Sequence, residues 1–153
     1  MGRAQVEDLR AVVQHVRGLG RDVTALVGHS KAGSVVLLYG AQYNDVRCIV
    51  NVAGRFDMRK GIDQRLGAEG LAALAATGVW MQRDHLGPYA VTRESVEERR
   101  STDMSVARNI QAAVLTVHGT ADEVRGSSSP GRTHTPPIEV GVFRRMRLRR
   151  VTD

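Results

Sequence analysis

Several things are scarce in this sequence, and each shortage removes a class of protein. A single cysteine, Cys48, excludes a disulfide framework and a cysteine-based zinc site. No apolar run approaches the roughly 20 residues that a membrane-spanning helix needs. The opening residues 1–6 lack the apolar core of a signal peptide, and Val6 stands where a myristoylation signal wants Ser or Thr. These features predict a cytoplasmic protein with no membrane span. Lysine is nearly missing: Lys31 and Lys60 stand against 20 arginines. A phosphate-binding surface ordinarily mixes the two on one face, so the imbalance reads as coding composition and no nucleic-acid partner is expected. The formal net charge of +6 sits mostly in residues 125–153, which hold 7 Arg and 2 acidic residues. Neither G-x-x-x-x-G-K-[ST] nor G-x-G-x-x-G occurs, and the His and Asp residues show no metal-ligand spacing. No nucleotide, cofactor or metal is therefore expected.

What is present has the pattern of one α/β domain. Val6, Leu9, Val13 and Val16 recur at helical spacing and predict a helix over 3–17, ended by Gly18 and Gly20. DVTALV at 22–27 is short and β-prone, as a buried strand is. GHSKAG at 28–33 is a turn. SVVLLYGAQY at 34–43 fits a helix buried against a sheet, although its Val and Tyr content also allows a strand. VRCIVNVAG at 46–54 is a second buried strand. The order helix, strand, helix, strand predicts a parallel sheet with right-handed crossovers. Residues 55–110 change character, with scattered glycines, the alanine-rich LAALAA and the charged ESVEERR. Helices at about 64–77, 93–101 and 103–110 fit there, with no strong strand between them: a helical insertion between sheet strands. AAVLTVHG at 112–119 resumes the buried-strand pattern. From Arg125 the segment RGSSSPGRTHTPP has too little apolar surface to offset its ordering entropy. The division expected is an α/β unit over 1–124, with an insertion at about 55–110, and a basic, low-complexity, disordered tail over 125–153. Its end, GVFRRMRLRRV, could still form a short surface strand or helix.

One turn carries chemistry. In Val27-Gly28-His29-Ser30-Lys31-Ala32-Gly33 a strand runs in and an apolar helix runs out, which is the context of a nucleophile elbow. So tight a turn strains the backbone of the nucleophile. It also demands small residues two before and two after, where strand and helix nearly touch: Gly28 and Ala32. The Ser30 hydroxyl then stands above the sheet edge. The Lys31 backbone N–H faces the oxygen of a tetrahedral intermediate, beside the positive end of the helix. The plainer alternative is that Ser30 merely caps the helix. His29, next to the nucleophile, points elsewhere and makes a poor general base. A second signal is Leu115 to Val124, LTVHGTADEV: a strand ends, Gly119 turns the chain, and Asp122 follows at the carboxyl edge, where catalytic groups collect in parallel sheets. Asp122 would orient a general-base histidine, or else cap a turn. Trp80, Met81 and Tyr89 could line an acyl pocket or simply pack the insertion.

GHSKAG, YNDVRCIVNVAGRFDMRKGI, VTRES and VLTVHGTADE together resemble the α/β-hydrolase superfamily, most nearly the plant-type serine aminopeptidase-like or esterase/lipase-like branch. The resemblance covers about residues 4–124. It implies a partial hydrolase parallel sheet with helices on its faces and a helical cap. It implies Ser30 as nucleophile, Asp122 as triad acid and Lys31 N–H as one oxyanion donor, acting without a cofactor on a small acyl ester, thioester or peptide. The chain departs from the family at both ends. Only 29 residues precede Ser30, where the family places further strands and the loop that supplies a second oxyanion N–H. No histidine lies one strand and one helix beyond Asp122; His134 follows by 12 residues, in a Pro-rich stretch. His15 and His85 fall on the first helix and in the insertion. The expectation is a truncated, catalytically impaired serine hydrolase that self-associates through an exposed sheet edge. The alternatives are a non-catalytic hydrolase-fold remnant, a partner-binding protein, or a protein that binds through its basic tail.

Overall fold

The structure, a computed structural model, describes residues 3–119, 138–144 and 147–150. Two compact units share the chain. Among the described residues, one is formed by residues 3–56, 103–119, 138–144 and 147–150, the other by residues 57–102.

In the first unit, α1 (Arg3–Gly18) leads to β1 (Ala25–His29), α2 (Lys31–Tyr43) and β2 (Cys48–Val52). A 3-10 helix at Met104–Asn109 then precedes β5 (Ala113–Gly119), the next strand of this unit after the two in the insertion. β1, β2 and β5 lie parallel in that order, with Leu26 beside Ile49 and Ile49 beside Val114. The fold is therefore α/β, a parallel sheet segment flanked by helices. The three strands expected from sequence are present, each moved by one to three residues.

The helix at 34–43 begins earlier than its apolar run, at Lys31, and it decides the inner face of the sheet. α2 packs on β1 and β2. Beneath it Ile49 is fully buried, and Leu26, Val35 and Val36 nearly so. On the opposite face alternation turns Val27 outward, 70% exposed, while Cys48, Val50 and Val52 of β2 are half-buried. β1 is an edge strand of the sheet.

α1 docks on α2 through Val6 and Val13, both 2% exposed, at the seven-residue spacing of one helix face. Polar groups fix its angle. Asp45, just past α2, accepts hydrogen bonds from Arg10, from Arg17 (2.5 Å) and from the Tyr39 hydroxyl (3.2 Å). Arg10 also lies over the Tyr43 ring, 4.3 Å from its centre. Burial pushes the Asp45 carboxyl up. The hydrogen bonds from Arg17, Tyr39 and Arg10 outweigh it and hold the group below the usual carboxylate range.

Two features of the sequence reading need correction here. The insertion is not all helical. It runs α3 (Ile62–Thr77), β3 (Val79–Asp84), β4 (Gly87–Thr92) and α4 (Arg93–Ser101), with β3 and β4 forming an antiparallel hairpin. VWMQRD and GPYAVT carry few β-branched residues, so their strand character was weak locally. What fixes them is packing. Ile62, Leu66, Leu74 and Val96 form a core against which Trp80 and Val91 pack, and the Trp80 ring lies directly on Gly70. Thr92 and Ser95 close α4 with reciprocal hydrogen bonds.

Nor is the whole basic tail without order. β6 (Ile138–Arg144) pairs antiparallel with β5, and β7 (Arg147–Arg150) with β6. A free sheet edge supplies backbone partners regardless of how basic the incoming strand is.

Candidate active site

The chain leaves β1 and enters α2 at Ser30, whose φ of 55° and ψ of −116° fall outside the regions a residue with a Cβ prefers. Such strain persists only where neighbours over-determine it, and they do. The Ser30 N–H donates to the Val52 carbonyl at 2.8 Å, which ties the turn to the end of β2. A Cβ on Gly28 would collide with the Ala32 backbone carbonyl, so strand and helix are in contact there. This is the tight strand-to-helix turn expected from G-x-S-x-[GA]. The capping alternative finds no support, because the Ser30 side chain makes no cap hydrogen bond. Ser30 is exposed at the carboxyl edge of the sheet.

The small residue two after Ser30 does a different job from the one expected. Ala32 is exposed, so its methyl costs nothing. The tight position is Gly33, where a Cβ would strike the Asn51 side-chain oxygen and press on the Gly54 backbone. The constraint therefore falls three residues past the serine, not two.

The groups beneath the elbow were missed by sequence reasoning. Asn51, 4% exposed on β2, accepts a hydrogen bond from the Gly54 N–H at 3.0 Å. Ser34, 2% exposed in the first turns of α2, donates to the Arg55 carbonyl and accepts from the Arg55 N–H, both at 3.1 Å. Ala53 between them takes a positive φ of 52°, and its N–H donates to the Val117 carbonyl at 2.8 Å. A polar residue inside each apolar run, Ser34 and Asn51, was the available signal.

The electrostatics of the turn favour an anion. The first turn of α2 contains no acidic residue, so the positive end of the helix is not neutralised. The Lys31 N–H is among the first-turn groups that lack an intrahelical partner. β5 ends at Gly119 on the same edge as Ser30, since β1, β2 and β5 are parallel. Asp122 and His134 lie outside the described residues. Of the other histidines, His29 is exposed beside Ser30, His118 is exposed near the end of β5, His15 is on α1 and His85 is in the hairpin turn of the insertion. No group of His, Cys, Asp and Glu able to hold a metal occurs among the described residues. No described helix is long and apolar enough to cross a membrane.

A scan against protein-family models gives no match, and a search of curated proteins gives none either. Among solved structures the chain is similar to a "Putative hydrolase" from Agrobacterium vitis S4, at 25% sequence identity and a TM-score of 0.47. That similarity covers 64% of this chain and 40% of the other, so the chain spans less than half the length of the protein it resembles.

Proposed function

We propose that Ser30 is the nucleophile of a serine-dependent acyl hydrolase of esterase, lipase or aminopeptidase type. The observation that carries this reading is the Ser30 backbone: a non-glycine residue held at φ 55° and ψ −116° between a strand and a helix, its side chain free of any capping bond. A residue that only began a helix would gain nothing from that conformation, and a side-chain cap would favour another.

In the reaction proposed, the Ser30 oxygen attacks the carbonyl of an ester, thioester or amide. A base removes its proton, and the negative charge that forms on the carbonyl oxygen faces the Lys31 N–H at the start of α2. Asp122 would hold the protonated base in orientation. His134 is the histidine that follows Asp122 in sequence.

We expect little turnover. A serine hydroxyl without a positioned base is a poor nucleophile at neutral pH, and loss of one triad member costs about 10⁴–10⁶ in rate in serine proteases. A fluorophosphonate probe with peptide mapping tests the nucleophile. A slow adduct on Ser30, missing in Ser30→Ala, is expected; adducts only at other serines would overturn the reading. Hydrolysis of p-nitrophenyl acetate should stay barely above background. A fast rate abolished by both Ser30→Ala and His134→Ala would show a complete triad and refute the impairment.

A further inference from the structure

We propose that Ser34, acting with Asn51, is a positioning residue for Ser30: its buried hydroxyl pins the start of α2 to the loop after β2 and so holds the elbow in its strained form. This rests on the reading of Ser30 as a nucleophile.

The hydrogen bonds around the elbow close into a ring. The Ser30 N–H is held by the Val52 carbonyl at the end of β2. Three residues from Val52 along the loop, the Arg55 N–H and carbonyl both engage the Ser34 hydroxyl. The Ser34 N–H returns to the Ser30 carbonyl at 3.4 Å, inside the first turn of α2. Asn51 props the loop from within through the Gly54 N–H, while its side-chain oxygen fills the space that Gly33 leaves empty. Every step from the nucleophile's nitrogen back to its carbonyl is a bond, a short stretch of chain or a packed contact.

Ser34 occupies a site where a hydroxyl is otherwise unwelcome. It is 2% exposed within the apolar run SVVLLYG, where Ala would cost no desolvation. Its hydroxyl both donates to and accepts from one residue of a loop that carries the strained Ala53. Helix packing alone does not require that latch, since Val35, Val36 and Tyr39 already bury the face of α2. Holding α2 and the loop in one register, however, fixes the start of α2 against Ser30 and sets the field at its side chain.

The field is measurable without turnover. In a Cys48→Ser, Ser30→Cys protein the single thiol sits at the positive end of α2, where thiolates are stabilised. Its rate of alkylation by iodoacetamide, followed against pH, gives its pKa. That parent should show a pKa below that of an ordinary cysteine. Adding Ser34→Ala should raise the pKa toward the ordinary value and slow alkylation at neutral pH about fivefold or more, the scale of one buried hydrogen bond. Ser34→Thr should restore the parent behaviour and Ser34→Val, isosteric with the threonine, should not, a pair that keeps the test valid if the Ala variant does not fold. Val13→Ala, a core truncation on α1, should lower thermal stability and leave the thiol pKa alone. An unchanged pKa in Ser34→Ala and Ser34→Val, or an equal shift in Val13→Ala, would overturn the inference while the elbow stands. A parent thiol with an ordinary pKa would instead refute the elbow reading itself, and the inference with it.

Discussion

The two units differ in which residues they place in left-handed backbone. Among the described residues, every positive φ in the 57–102 insertion belongs to a glycine: Gly61, Gly67, Gly78 and Gly87. The sheet unit has one such glycine, Gly20, and also places Ser30, Asn44 and Ala53 there. Asn44 is the mild case, because asparagine tolerates this region. It ends α2, and its side chain both receives the Gln111 N–H at 2.8 Å and donates to the Asn109 carbonyl at 3.3 Å. Ser30 and Ala53 have no such excuse, and both lie at the carboxyl edge of the parallel strands. The insertion is built to be stable locally. The sheet unit tolerates strain at the carboxyl edge of its parallel strands, and strained residues of this kind concentrate in functional sites.

That contrast can be broken by substitution. The largest effect should come from Gly28→Ala, because the new methyl would meet the Ala32 carbonyl, which is backbone and cannot swing away. We expect a loss of about 3 kcal/mol or more in urea unfolding. Gly78→Ala in the insertion has nothing within 4 Å of the added methyl and faces only its φ of 78°, so it should cost about 1 kcal/mol. Equal losses at the two sites would remove the distinction between a glycine needed for contact and one needed for conformation.

Next comes the polar dock of α1. Asp45→Ala strands Arg10 and Arg17 and should cost about 2 kcal/mol. The folded-state pKa of Asp45 is lowered. Its stabilisation is therefore fully present above the unfolded carboxylate value of about 3.9 and is lost as pH falls through the folded value. Wild type should lose stability faster than Asp45→Asn below about pH 4, as followed by circular dichroism. Parallel acid curves for the two proteins would contradict this.

Smaller and of opposite sign are the strain-relieving changes. Ser30→Gly should raise stability by about 1 kcal/mol while removing the proposed nucleophile. Ala53→Gly should raise it by about 0.5 kcal/mol, the positive-φ relief less the extra entropy of an unfolded glycine. If either change destabilises the protein, the backbone at that residue is not strained as described.

Much of this was legible in the sequence, and for a definite reason. The period of the apolar residues gave α1, and short apolar runs ending in glycine gave β1, β2 and β5, because those signals are local and the sheet buries what it pairs. G-x-S-x-[GA] between a strand and a helix placed Ser30 at the elbow, since only small residues survive where strand and helix backbones touch. The hairpin of the insertion was not legible, because VWMQRD and GPYAVT become strands only by packing Trp80 on Gly70 and the α3 core. The same holds beneath the elbow. Ser34 and Asn51 look like isolated polar residues in apolar runs, and nothing at their own positions says what they bond. Their partners, Arg55 and Gly54, are set by how β2 ends beside α2, and Gly33 matters more than Ala32 because of what lies across the turn. Local periodicity and turn chemistry are written residue by residue, so the sequence determined α1, the three parallel strands and the tight turn at Ser30. Which groups close around that turn depends on distances between segments far apart in the chain, and those exist only once the chain has folded.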